Sequence, residues 1–311
     1  MDAVVAHSEA SMTKGSTSFR LASRLFGRKL REDVWQFYAW CRHCDDEIDG
    51  QDHGGRSALM DDQTRRERLD HLRRTTRAAM AGEAVTDPAF VAFQRVALRH
   101  HMPEQWPLEL LDGFAMDVDG RRYETTSETL EYCWGVAGVV GVMMAVIMGA
   151  KQDPEVLRRA QDLGLAFQLT NICRDVSEDA ENGRIYLPAE SLRAAGVPPN
   201  TAILLDPQLR ANVFKVVESH LQLAEAYYRS SREGLRALPF RGALAVSAAR
   251  EVYREIGRRI LRRGPEALGA RMSVPKAAMG WLVARGALVA LWSRLERLWP
   301  APPRPALWSR L

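Results

Sequence analysis

Residues 38–50 read YAWCRHCDDEIDG and place Asp45, Asp46, Glu47 and Asp49 within five positions, behind a run rich in tyrosine and tryptophan. Like charges one turn apart repel and weaken a helix. Tyr38, Arg42, Asp45 and Asp49 follow steps of 4, 3 and 4, so on a helix they share a face about 60° wide. Their neighbours Trp35, Phe37, Trp40, Cys41 and Ile48 are largely apolar. A second stretch, GLAFQLTNICRDVSEDAENGRIYLP, repeats the arrangement. Gln168, Asn171, Asp175 and Asp179 follow steps of 3, 4 and 4 and share a face about 80° wide. Leu163, Leu165, Phe167, Leu169 and Ile172 surround them.

A solvated acidic face explains either seam alone, because a buried, unpaired carboxylate is very costly. Two matched seams point further. Carboxylates suit hard cations, and magnesium takes one or two carboxylates together with phosphate oxygens and water. A divalent ion between each pair and a diphosphate would remove the repulsion. Arg42, Arg174 and Arg184 add donors for phosphate oxygens, and Tyr38 and Tyr186 could donate from their hydroxyls.

The elements that must position these groups are helical almost throughout. Periodicity near 3.6 predicts helices over about 16–26, 31–49, 63–81, 88–100, 104–119, 127–149, 154–181, 187–194, 207–236, 240–262 and 274–297, with prolines in the gaps. Alternating strand patterns are scarce. The expectation is one all-α domain over 15–297, a flexible N-terminus over 1–14 and a proline-rich tail over 298–311, whose prolines prevent helix at its start. Residues 133–150, CWGVAGVVGVMMAVIMGA, carry no charge. They meet the length of a membrane span, but their four glycines and the lack of a basic flank favour a helix buried inside a bundle. The glycines at 135, 138 and 141 thin one face, either for close helix packing or to make room for a hydrocarbon chain.

The 311 residues suffice for a large core, and a formal charge of +4 is only mildly basic. The arginine-rich stretches 65–77 and 258–263 read as solvated helix faces, or as attraction to an anionic membrane or substrate. No nucleic-acid module is present, so no nucleic-acid partner is expected. Cys41 and Cys44 form C-x-x-C inside a helical pattern without a second ligand pair, which argues against zinc or redox work; all four cysteines read as reduced packing residues. The first residues lack a secretory pattern, so a cytoplasmic location is expected. The segment 277–299 is apolar, with arginines and Trp281, Trp292 and Trp299. It reads either as a last helix closing the core or as one lying at a bilayer interface. Peripheral contact with the inner face of the cell membrane, without a span, is expected.

The stretches YAWCRHCDDEIDG, YCWGVAGVVG and LGLAFQLTNICRDVSEDAENGRIYLP, in this order, closely resemble the squalene/phytoene synthase family and within it the bacterial phytoene synthases. The similarity runs from GSTSFRLASRLF (15–26) to the proline-rich end. It implies an isoprenoid-synthase helical bundle around a central apolar cavity, with the two aspartate motifs facing each other across it. By this resemblance Asp45, Asp49, Asn171, Asp175 and Asp179 hold two or three Mg2+ or Mn2+ ions. Asp45, Asp49, Asp175, Asp179, Arg42 and Tyr132 carry the chemistry. Ser18, Phe19, Tyr38, Arg42, Val136, Gln168, Asn171, Arg174, Arg184, Tyr186, Tyr253 and Arg271 contact substrate. The implied reaction joins two C20 geranylgeranyl diphosphates head to head, through prephytoene diphosphate, to phytoene and two diphosphates. An upstream geranylgeranyl diphosphate synthase and a downstream phytoene desaturase would be partners. Gly135 stands where squalene synthases often carry a tyrosine, which leaves Tyr132 as the nearer candidate. No glycine-rich nucleotide fingerprint is present, so no NADPH is expected. A dehydrosqualene- or squalene-type synthase using the C15 substrate, a terpene cyclase or head-to-tail prenyltransferase, and a non-catalytic scaffold are the other readings. Cavity depth, placed at Phe19, Val136, Val139 and Met143, would set the chain length.

Overall fold

The computed structural model describes residues 2–15, 23, 25–50 and 61–311, and every described element is helical. Ser18 and Phe19, and most of the helix expected over 16–26, lie outside the described residues. Several helices begin where the sequence supplies a side-chain cap. Helix α1 spans Ala3–Gly15, α2 Arg28–Asp49, α3 Asp62–Met80, α4 Pro88–Arg99 and α5 Gln105–Val118. Asp61 caps α3 by accepting from the Thr64 amide at 2.7 Å, and Asp87 caps α4 ahead of Pro88 by accepting from Ala89 at 2.7 Å. Such caps each contribute about 1 kcal/mol. Gly50 stops α2 in the left-handed region at φ 63°, where glycine carries no steric cost.

Next come α6 (Thr126–Cys133), a π-helical turn (Trp134–Gly138) and α7 (Val139–Ile147), which run as one rod. Thr125 caps it by accepting from the Glu128 amide at 3.3 Å. This rod is long and apolar enough to cross a membrane by length and composition, but 67% of its most apolar stretch is buried within the bundle, as expected for a core helix. The long helix α8 (Pro154–Glu181) starts at Pro154 and is capped by Asp153. Short helices α9 (Ala189–Ala194) and α10 (Thr201–Leu204) lead to α11 (Arg210–Gly234), α12 (Phe240–Arg263) and α13 (Lys276–Leu295).

Helix α8 is the spine, packed against α11, α12, α7 and the π-helical turn. Its buried positions fall on more than one face: Leu157, Gly164, Leu165, Ala166 and Thr170 are all buried and together span about 240° of the helix. This is the pattern of a helix surrounded by others. The glycines of the rod serve close packing. A Cβ on Gly135 would lie 2.8 Å from the Gly113 Cα of α5, and a Cβ on Gly164 only 2.3 Å from the Ala137 carbonyl oxygen. Backbone meets backbone at both places, which decides between the two readings of the glycine stripe. Gly141 meets the Ala160 carbonyl at 2.8 Å in the same sense and also borders the cavity described below.

One expectation needs correction. The N-terminus is not a loose leader: residues 3–15 form α1, which packs on α2 and buries Val5 and Met12 against Trp35. The tail is not helical, as expected from its prolines, but it is firmly attached. Arg304 makes a two-pronged ion pair with Asp162, at 2.7 Å and 3.0 Å, and Asp162 is fully buried. Arg159 donates to the Pro302 carbonyl at 2.7 Å, and Leu307, Trp308 and Leu311 pack on the core. The tail therefore forms a strap along α8 and α11. All four cysteines are free thiols.

Candidate active site

A cavity of about 1270 Å³ runs through the bundle, bounded by α2, α5, the α6–α7 rod, α8, α12 and the start of α13. It exceeds the roughly 300–1,000 Å³ typical of drug-sized ligands. Its walls are mostly apolar: Phe37, Phe114, Val140, Met144, Leu163 and Phe167 are among them. Its polar part gathers Tyr38, Arg42, Asp45, Asp49, Gln168, Asn171 and Arg184. Tyr132, Val136 and Tyr253 also line it, with Tyr253 stacked on Phe167 at 4.3 Å.

The two acidic seams converge here. Arg184, just after α8, reaches Asp49 of α2 at 3.2 Å, and Asp179 feels both Arg184 and Asp117. Asp175 and Asp179 continue the Asn171 face of α8 by one and two turns without themselves lining the cavity. The carboxylates are held by arginines. Arg42 pairs with Asp45 at 3.0 Å and with Asp46 at 2.6 Å. Asp175 takes the Arg174 Nε at 2.8 Å and the Arg271 Nε at 3.0 Å. Among the described residues no three His, Cys, Asp or Glu side chains are gathered tightly enough to hold an ion unaided.

Burial and mutual repulsion mark the site. Burial, then the neighbouring Asp49, pushes the Asp45 carboxyl up to about 6 against the opposing Arg42. Burial, then Asp175, pushes Asp179 up to about 7. Neighbours Tyr186, Asp117 and Asp49 hold the Arg184 guanidinium in its charged form although burial opposes it. The donor set fits a hard divalent cation. Asn171 faces the cavity with a buried Oδ1 that has no hydrogen-bond partner, while its Nδ2 donates to Gln168 Oε1 at 3.3 Å. An oxygen left open beside carboxylates suits magnesium or manganese completed by phosphate oxygens.

Three features escaped the sequence. Asp117 of α5 enters the cavity wall and accepts from Tyr186 at 2.7 Å and Tyr132 at 3.1 Å. Burial raises its pKa, while Arg184 and the two phenols oppose that rise. Its signal was spacing: Leu110, Phe114 and Asp117 fall at i, i+4 and i+7, so the carboxylate shares an inward face. Second, the chain-length positions shift. Val136, Val140 and Met144 line the cavity, whereas Val139 and Met143 point into the core at 0% exposure. Tyr132 of α6 opens the row of cavity-facing residues on this rod and Val136 continues it within the π-helical turn, a turn that a 3.6-residue count does not follow. Third, Lys276, Met279, Gly280 and Val283 of α13 form part of the cavity wall.

An all-helical bundle with two carboxylate-bearing helices converging at the polar end of a large apolar cavity defines an isoprenoid-synthase-type enzyme. The squalene/phytoene synthase family model matches residues 12–278, and this chain belongs to that family. It is 46% identical over 309 residues to a 15-cis-phytoene synthase of Paracoccus sp. (strain N81106 / MBIC 01143), covering 97% of this chain and 99% of that one. It is 44% identical to a 15-cis-phytoene synthase of Pantoea ananas, covering 98% and 97% respectively. A crystal structure of a dehydrosqualene synthase in complex with ligand superposes with a TM-score of 0.79 at 28% identity, covering 91% of this chain and 95% of that one.

Proposed function

We propose that this prenyltransferase is a 15-cis-phytoene synthase, joining two geranylgeranyl diphosphates head to head. The observation that carries the reading is the Arg184–Asp49 bridge, which draws both acidic seams to one end of a 1270 Å³ apolar cavity. Mg2+ or Mn2+, bound by Asp45, Asp49, Asn171, Asp175 and Asp179, would supply Lewis-acid neutralisation of the leaving diphosphate. Arg42, Arg174, Arg184 and Arg271 would exchange their carboxylate partners for phosphate oxygens as substrate arrives. The donor's C1–O bond breaks and an allylic cation forms. The acceptor's C2–C3 double bond attacks it, a proton is lost, and cyclopropyl prephytoene diphosphate and one diphosphate result. A second ionisation, rearrangement and proton loss give phytoene and the second diphosphate. The apolar walls exclude water that would quench the cations, and the faces of Phe167, Tyr253 and Tyr132 offset positive charge.

Product and substrate are long hydrocarbons, and the outer face of α13 suits a membrane. Trp281, Leu288 and Trp292, with Leu298 and Trp299 just beyond its end, are more than half exposed. This face supports peripheral attachment to the inner side of the cell membrane. Purified protein given C15 and C20 diphosphates together with Mg2+ should convert the C20 substrate to phytoene, read by chromatography. Exclusive use of the C15 substrate would replace this reading with a dehydrosqualene-type one, and a cyclic or chain-extended product would end it.

A further inference from the structure

We infer that Asp117 is a positioning residue that fixes the direction of two buried tyrosine hydroxyls, of which that of Tyr132 belongs to the cavity wall, so that the Tyr132 oxygen and not its proton faces the reacting chains. The inference rests on the proposed prenyl transfer. Its geometry comes from three separate parts of the chain. Asp117 Oδ2 accepts from Tyr132 at 3.1 Å and Oδ1 from Tyr186 at 2.7 Å. The two rings stack at 4.7 Å with 20° between their planes, and Tyr123 leans on both at 5.3 Å and 6.1 Å. All three tyrosines are buried, so their rotamers are set by packing and the remaining freedom lies in the hydroxyl rotors.

An ionised carboxylate only accepts hydrogen bonds. With both of its oxygens engaged, it takes the proton of each phenol. The Tyr132 O–H dipole then points at Asp117, with its negative end on the oxygen. Tyr132 lines the cavity, so that negative end lies beside the space where an allylic cation would form. A dipole fixed in advance stabilises charge without reorganising during the reaction. Left to rotate, the phenol proton would turn toward the leaving diphosphate and present its positive end to the cation. Asp117 also holds the pair next to the acidic seams, because its charge attracts Arg184, which binds Asp49.

The test is Asp117→Asn, which keeps size and shape but replaces one acceptor with a donor, so one phenol must turn. Steady-state kinetics with geranylgeranyl diphosphate should show kcat lowered about 100-fold with KM changed less than about threefold. Tyr132→Phe/Tyr186→Phe supplies the background for a double-mutant cycle. In that background Asp117→Asn should cost less than about threefold further, since nothing remains to orient. Full additivity in the cycle, or a change in KM alone, overturns the inference, because a merely structural carboxylate would show either. Calorimetry of inorganic diphosphate with Mg2+ checks that Asp117→Asn still binds; for a variant that does not fold, Asp117→Glu takes its place, and it should recover kcat while Asp117→Gln does not. Equal kcat for those two would also overturn it. Absence of phytoene from the wild-type protein would instead count against the proposed function, which separates the two failures.

Discussion

Divalent-cation binding to this protein should release protons near neutral pH and tighten steeply from pH 6 to pH 8. The perturbation is pH alone, applied to metal-free protein. Asp179 is pushed up to about 7. Such a carboxyl is about nine-tenths protonated at pH 6 and about one-tenth at pH 8, so its availability as a ligand rises about tenfold. Asp45, pushed up to about 6, adds at most about a further twofold by the same arithmetic. Its side chain is 40% exposed, and water screens its share. The expected change is therefore about ten- to twentyfold in affinity, with about half a proton released per ion at pH 7 from Asp179. Mn2+ titrations followed by electron paramagnetic resonance give the affinity, and calorimetry in two buffers of different ionisation enthalpy counts the protons. The sign for folding runs the other way. Folded values raised above the ordinary 3.8 stabilise the metal-free fold at acid pH, and that contribution is lost progressively as pH rises from the ordinary 3.8 to the folded values of about 6 and about 7. Melting temperature should fall over this window without metal and recover when metal is added at pH 8. An affinity that stays flat from pH 6 to 8, with no proton release, would refute the reasoning.

Three other outcomes are expected. Ala249→Phe, in the cavity wall, should lower kcat/KM for the C20 substrate about tenfold more than for the C15 one, measured by competition; equal losses would remove this wall from chain-length selection. Arg304→Met takes the two-pronged ion pair from the buried Asp162 and leaves it the Ser230 hydroxyl and the nearby Arg159, a cost of about 3 kcal/mol. It should lower the melting temperature by about 5–10 °C, whereas Asp162→Leu/Arg304→Met should recover most of it. Trp281→Ser/Trp292→Ser should weaken flotation with anionic vesicles at least tenfold while leaving conversion of detergent-dispersed substrate intact, and equal flotation would take the outer face of α13 out of membrane contact.

The two acidic seams were legible because i, i+4 spacing on a single helix survives into three dimensions unchanged. Tyr38, Arg42, Asp45, Asp49, Gln168 and Asn171 all line one cavity. The sequence marks Arg184 as a candidate phosphate donor but not as the bridge to Asp49, since that contact joins residues 135 positions apart. Asp117 had the spacing of an inward position, yet no sequence period says which tyrosines will meet it. The register of the α6–α7 rod was missed because the π-helical turn cannot be seen in apolar residues that look alike on every face. The N-terminal helix carried its signal in Val5 and Met12, seven positions apart, too few apolar residues to stand out. The prolines of the tail excluded helix correctly, but its attachment comes from long-range contacts that no local pattern shows: the buried Asp162 on α8, Arg159 and the packing of Leu307, Trp308 and Leu311 on the core.

The contact between Gly113 and Gly135 has a consequence for the chemistry nearby. Gly113 sits one turn before Asp117, and Gly135 three residues after Tyr132. Where a Cβ on either would come within 2.7–2.8 Å of the opposing backbone, comfortable carbon spacing is about 3.5–4.0 Å. An alanine there would act as a shim, prising two rods apart by the better part of an ångström. A 3.1 Å hydrogen bond does not survive that separation. A variant that adds one methyl group, alters no charge and touches no substrate would thus slow the enzyme by mechanical leverage alone.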